Sequence, residues 1–293
     1  MALTPKGTGI LVKGPRCATP PKYGLLSVAD PINSIDLHWT ASGIEWEDFL
    51  CTPGVTGFID NCPPASGFTK PAERNNLFCQ ADPFIVVGSY DCSTGGRPIN
   101  EAFEVARQRL LSWEQRTVEE ILWTGQSANG VVNPSFAFGN DVCGIFPEDL
   151  AGGAGSVDAV SAIAQLENAL GDRLACEGVI HVPYGFAAYL LDHRLLERVG
   201  DEYFTPTGYR VVLGQGYTGS GPGNVPATPG TTWLYGTGPL LLARSNVIMV
   251  PENINESVNR INNDVTVRAE RFYAVGFSCA LVAINVNLSC ACC

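Results

Sequence analysis

Gly214-Gln-Gly216-Tyr-Thr-Gly219 follows a candidate strand with the GxGxxG spacing of a dinucleotide site, where glycines let the backbone approach a pyrophosphate. That chemistry also needs a helix N-terminus directly after the turn. Ser220-Gly-Pro-Gly-Asn-Val-Pro226 follows instead and cannot open a helix, so the segment reads as a mobile loop. The three histidines, His38, His181 and His193, stand in no HExxH or comparable metal spacing and read as structural. Cys176 and His181 are close enough in sequence to suggest a nucleophile pair, but nothing else supports one. There is no GxSxG elbow and no Walker motif. The expectation is a protein that is not an enzyme, with no catalytic residues, no cofactor and no metal.

Eleven cysteines call for an account. Their number is odd, and they lack the paired CxxC spacing of a zinc ribbon. The opening residues contain no continuous apolar h-region, so secretion is not expected. Most of the thiols are then expected to be reduced and buried when the chain is made, with later oxidation left open. The end, Cys290-Ala-Cys292-Cys293, formally fits a prenylation pattern, but no polybasic stretch precedes it. Disulfides between subunits through Cys290, Cys292 and Cys293, or a soft metal, are alternatives to a reactive tail without function.

The 293 residues suffice for one large domain or two smaller ones. Only 16% of them are charged and 45% are hydrophobic, against about 25% charged in an ordinary soluble protein. So few charges suggest a surface largely buried against neighbouring copies. A net charge of −11 argues against nucleic-acid binding over the whole surface. Yet Lys6, Lys13, Arg16 and Lys22 all precede the first acidic residue, Asp30, and such an arm could touch nucleic acid or an acidic neighbour. No apolar run approaches the roughly 20 residues of a membrane span.

The elements are unevenly placed. Residues 1–97 are rich in Pro, Gly, Thr and Asn, with short extended pieces at 43–50, 54–60 and 77–90. The spacing then predicts a long helix over 98–124. Phe103, Ala106, Leu110, Trp113, Thr117 and Ile121 recur at steps of three or four, while Arg107, Gln108, Glu114, Gln115 and Glu119 fall on other faces. Gly125 stops it. A second helix is predicted from Ser156 as N-cap to Leu174, a buried strand at 178–182, and a third helix from Pro183 through Leu196. Residues 209–213 read as a strand and 214–230 as a flexible Gly/Pro loop. Strands at 233–235, 240–244, 247–250, an alternating run around 265–271, and 280–288 complete an α+β chain.

Certain wording is more specific. Asp82-Pro-Phe84-Ile-Val-Val87 with Cys92-Ser93 precedes Ala106-Arg107, Leu110, Glu114-Gln-Arg116-Thr-Val118-Glu119-Glu120 and Leu122-Trp123-Thr124-Gly125. Gly24-Leu-Leu-Ser-Val28 stands ahead of His38-Trp39 and Gly43-Ile-Glu-Trp46. These stretches, and the order of elements, resemble the HK97-fold major capsid proteins of tailed bacteriophages, those of actinobacteriophages in particular.

The resemblance implies an HK97-like fold with an N-terminal arm at 1–40, an E-loop at 41–81, a P-domain at 82–149 and 241–293 with its spine helix at 98–124, and an A-domain at 150–240. It implies a shell subunit that self-assembles as pentamers and hexamers into an icosahedral head around double-stranded DNA. Such a subunit would be made in the bacterial host cytoplasm and end in the virion. Phe103, Leu110, Trp113 and Ile121 would pack the spine helix. Trp46, Phe49 and Lys70 would make E-loop contacts with a neighbour, and Lys6, Lys13, Arg16 and Lys22 would face the packaged DNA without sequence specificity. Scaffolding, portal and decoration proteins would be separate partners, with no membrane involved. An encapsulin-like nanocompartment shell shares the fold and is the first alternative; an α+β enzyme without a recognisable motif is the second.

Overall fold

The computed structural model describes residues 22–29, 32–33, 39–48, 77–93, 99–127, 130, 138, 146–153, 155–174, 177–261, 264–278 and 280–288. In chain order the elements are α1 (Leu25–Val28), β1 (Ile32–Asn33), α2 (Trp39–Ser42), β2 (Ile44–Asp48), β3 (Leu77–Ala81), β4 (Phe84–Ser93) and the long α3 (Ile99–Thr124). There follow β5 (Glu148–Asp149), α4 (Ala159–Arg173), β6 (Val179–Pro183), α5 (Ala187–Asp192), β7 (Glu197–Val199), β8 (Glu202–Phe204) and β9 (Arg210–Gly214). The last are β10 (Thr231–Thr237), β11 (Leu240–Arg244), β12 (Ile248–Val250), β13 (Val258–Asn259), β14 (Asp264–Phe277) and β15 (Leu281–Asn287).

Two sheets carry the chain. β14, fourteen residues long, is the hub of the first. Along one edge it pairs β4, from Asp264 with Ser93 to Tyr273 with Phe84; along the other it takes β13, β12 and β11 in turn. Its alternation has a plain cause: Val265, Val267 and Ala269 turn inward under α3, while Thr266 and Arg268 face solvent. The helix contributes Ala102, Ala106, Leu110, Val118 and Leu122 to that core. Gly88 permits the close approach, since a Cβ there would stand 2.5 Å from the Ala106 carbonyl oxygen. Gly125, at φ +66°, ends α3 with its N–H on the Ile121 carbonyl.

The second sheet runs β5-β15-β10-β6-β9-β8-β7. Asp158 caps α4, its carboxylate accepting from the N–H groups of Val160 and Ser161. Ala162, Ile163, Leu166 and Leu170 of α4 and Leu190 of α5 pack against Ile180, Val211, Leu234, Val282 and Ile284 of that sheet. An antiparallel ribbon joins the sheets. The β10–β15 pair bends at Gly238 and Ser278 and continues as β11–β14, with Gly238 N–H on the Ala280 carbonyl and Ser278 N–H on that of Pro239. β2 and β3 pair with each other and lie over the end of the first sheet, where Ile44 joins Ala243, Ala274 and Phe272.

The structure departs from the sequence reading at several points. The N-cap of α4 is Asp158, not Ser156. The third helix ends at Asp192; Arg194, at φ +56°, breaks it, and residues up to Phe204 form the β7–β8 hairpin. The 214–221 segment is packed, not free: Tyr217 is buried, and a Cβ on Gly221 would meet the Trp233 indole. β15 joins the seven-stranded sheet although it follows residue 240, because the ribbon carries it there. Most of the thiols were expected to be reduced and buried; Cys79 is buried and disulfide-bonded.

Candidate functional site

Polar chemistry gathers along α3, where it meets β14 and the turn after β9. Glu114, Gln115 and Glu119 were expected away from the core, yet all three are buried. The reason is that α3 is covered on two sides: the first sheet lies under one, and residues 24–25 and 215–217 lie on the other. Glu114 Oε2 accepts from Arg271 Nη1 and from the Tyr273 hydroxyl, both at 2.7 Å, and so ties α3 to β14. Burial and the adjacent Glu114 carboxylate push the Tyr273 hydroxyl well above the usual phenol range. Glu119 accepts from Leu25 N–H and Gly216 N–H, each at 2.9 Å. Burial raises its carboxyl to about 7, against the opposing pull of those amides.

Beside it runs an enclosed relay. Thr237 spends its hydroxyl proton on the Gly238 carbonyl, so it must accept from His181 Nε2 at 2.9 Å. His181 Nδ1 is then the acceptor for the Tyr217 hydroxyl, also at 2.9 Å. Burial lowers the His181 pKa to about 3 and raises that of Tyr217, so both stay neutral across the physiological range. Trp123 packs on Tyr217 and Tyr235 at centroid distances of 4.7 and 4.8 Å and donates its indole N–H to the Ser220 carbonyl. Every donor in the relay has its acceptor, and none of His181, Tyr217, Thr237 or Glu119 meets solvent enough to bind a substrate. The arrangement holds segments together. Among the described residues no group of three His, Cys, Asp or Glu side chains could hold a metal ion, and no helix is long and apolar enough to cross a membrane.

The residues singled out in the sequence fall in different places. Leu110 and Ile121 are buried, and Phe103 is partly buried against the first core. Trp113 differs: it is 54% exposed, with the Arg116 guanidinium 5.3 Å above its ring, because that strip of α3 faces away from both layers. Trp46 lies over Gly276 of its own β14, so tightly that a Cβ at 276 would overlap the indole. Lys22 is exposed and pairs with Asp201 at 3.4 Å. Phe49, Lys70, Lys6, Lys13, Arg16, Cys290, Cys292 and Cys293 lie outside the described residues, as do His38 and Cys176. Sequence reasoning missed Glu119, Tyr217, Arg271 and Tyr273. A low charge content with acids in a long amphipathic helix was the signal available for Glu114 and Glu119.

Apolar side chains also reach the surface. Ile85 and Val87 (41% and 46% exposed) lie on the sheet face opposite α3, alternating with buried Val86.

No family model and no curated protein matches the chain. Solved structures do. The capsid of the native GTA particle, computed with C5 symmetry, aligns at TM-score 0.50 and 13% identity over 97% of this chain and 96% of the other. A chain of Microbacterium phage Oxtober96 aligns at 0.51 and 13% over 97% and 96%. The Cyanophage A-1(L) capsid asymmetric unit aligns at 0.50 and 10% over 84% and 88%. The chain is therefore α+β with the fold of phage capsid proteins.

Proposed function

We propose that this chain is the major capsid protein of a tailed bacteriophage, self-assembling through pentamers and hexamers into the icosahedral shell around its double-stranded DNA. The observation that carries the reading is likeness of fold along nearly the whole chain to a capsid subunit, with almost nothing left over on either side. The low charge content and the exposed Ile85, Val87 and Trp113 support it, since such surface is economical only when neighbours cover it.

In this reading α3 is the spine helix on the P-domain sheet formed around β14, and the seven-stranded sheet is the core of the A-domain. Residues 41–81 are the E-loop. Its base, with Trp46, is fixed to its own subunit, which leaves Phe49 and Lys70 to reach a neighbour. Trp113 serves a subunit contact rather than the subunit core. Residues 1–40 are the N-terminal arm, with Lys6, Lys13 and Arg16 toward DNA. The role is structural, not enzymatic; the product is a virion component made in the bacterial cytoplasm, with separate scaffolding, portal and decoration proteins.

Electron microscopy with light scattering on the purified full chain, alone and co-expressed with candidate scaffolds, tests this. Closed shells or five- and six-membered rings are expected, and DNA-filled native particles distinguish a phage head from an enzyme-loaded compartment. A small monodisperse species under every condition would overturn the shell.

A further inference from the structure

No ladder ties the β2–β3 ribbon to the first sheet: among the described residues, its two strands pair only with each other. Directly opposed residues of an antiparallel pair turn to the same side. Trp46 and Cys79 are such a pair, and Trp46 lies over Gly276 of β14, so Cys79 also turns toward the first sheet. Burial agrees, since Cys79 and Ala81 are buried while Gln80 between them is exposed. Cys79 is disulfide-bonded. A disulfide holds its two Cα atoms within about 7 Å. Cys92 stands opposite Val265, about 36 Å along β14 from Gly276, and is too distant to be the partner.

The other contacts beneath the ribbon are small. Ile44 joins the cluster of Ala243, Ala274 and Phe272, and Trp46 covers a glycine. The Trp46 indole N–H is buried with no hydrogen-bond partner, which offsets part of what burying the ring contributes. A two-stranded ribbon has little stability of its own in water. The chain ties β3 at its Ala81 end, through Asp82-Pro83 into β4, so a lifting ribbon would pivot there. A covalent bond at Cys79, close to that pivot and on the inward side, therefore decides how firmly the ribbon is seated.

We propose that the Cys79 disulfide is a redox staple: closed, it fixes the β2–β3 ribbon to the body of the subunit on the sheet face opposite α3, and reduced, it leaves the ribbon able to lift about its Asp82 end. Closing the bond turns two thiols into one disulfide. Both hydrogens and both electrons pass to a low-molecular-weight disulfide, which departs as two thiols. The staple therefore follows its surroundings, open in a reducing cytoplasm and closed outside one. Once closed, Cys79 is only 2% exposed, so a reductant reaches it only when the ribbon lifts. This chemistry does not depend on the capsid reading; on that reading the ribbon is the base of the E-loop, and it locks after the particle leaves the cell.

To test this, the full chain is purified under reductant, and one half is then oxidised with glutathione disulfide. Peptide mapping without reductant identifies the partner of Cys79, and hydrogen exchange followed by mass spectrometry compares the two halves. Residues 44–48 and 77–81 should exchange roughly tenfold or more faster in the reduced half, relative to peptides of α4 and β10. Cys79→Ala should match the reduced half under both treatments. Cys79 left unpaired or bonded within residues 41–81 after oxidation, equal exchange in the two halves, or a full redox response surviving in Cys79→Ala would each overturn the staple. The map and the wild-type comparison decide even if Cys79→Ala fails to fold. None of these readouts requires a shell, so the staple and the capsid reading fail separately.

Discussion

The carbonyl oxygen of Ser278 fills the space that a side chain on Gly238 would need. The two residues form the bend at which the β10–β15 ribbon leaves one sheet and enters the other as β11–β14. Glycine is required there by proximity of backbone to backbone, which no rotamer change relieves. Gly238→Ala should lower stability by roughly 3 kcal/mol or more, visible as a reduced denaturation midpoint. Gly185→Ala, with nothing within 4 Å of the new atom, is the control and should change little.

Glu114, Arg271 and Tyr273 meet at one carboxylate oxygen. Removing one charge leaves its buried partner unpaired, so Glu114→Ala or Arg271→Ala should each cost about 3–5 kcal/mol. Tyr273→Phe keeps the ion pair and loses one hydrogen bond to a charged group, for about 1.5–3 kcal/mol. Urea titrations of the three variants and of the Glu114/Arg271 double variant check this. The double should cost much less than the sum of the singles.

Glu119 and His181 give stability opposite slopes with pH. The Glu119 carboxyl sits above its unfolded value, so its contribution is full below about 4.5 and is lost as pH rises through about 7. The His181 imidazole sits below its unfolded value of 6.5, so its contribution is full above that and is lost as pH falls toward about 3. Between 4.5 and 6.5 the two oppose one another. Glu119→Gln should therefore expose a steeper acid loss, by roughly 3 kcal/mol across the Glu119 window. A stability profile from pH 4 to 8 with unchanged shape in Glu119→Gln would contradict this.

Trp113 and Trp123 share one helix but not one environment. Trp123 is 1% exposed within an aromatic cluster, and Trp113 is 54% exposed. Trp123→Ala should cost about 3–5 kcal/mol, and Trp113→Ala should stay within about 0.5 kcal/mol for the isolated chain. Thermal melts separate the two. A selective effect of Trp113→Ala on particle yield would support its proposed place at a subunit contact.

The long helix was legible because its signals are local: the 3.6-residue stripe around Leu110 and the glycine at 125 need no knowledge of distant residues. The same periodicity misassigned Trp113, which faces neither layer, and the polar residues beside it: Glu114 is buried by Arg271 and Tyr273 of β14, and Gln115 and Glu119 by residues 24–25 and 215–217, all far away in sequence. The glycines of 214–221 were visible but were read as mobility, where they serve close approach to α3 and Trp233. The β7–β8 hairpin was hidden behind Leu195 and Leu196, which continue the apolar pattern of the helix before it. No local feature of Tyr217 or His181 distinguishes them from ordinary core residues. Their relay exists only once β6, β10 and the turn after β9 are assembled.

β14 also sets a schedule for synthesis. Its register brings Ser93 against Asp264 and Phe84 against Tyr273, so the first sheet has no central strand until synthesis has passed residue 264. β4 must wait until then with an open edge. A chain that stops before residue 264 has no hub on which to close the sheet that carries α3.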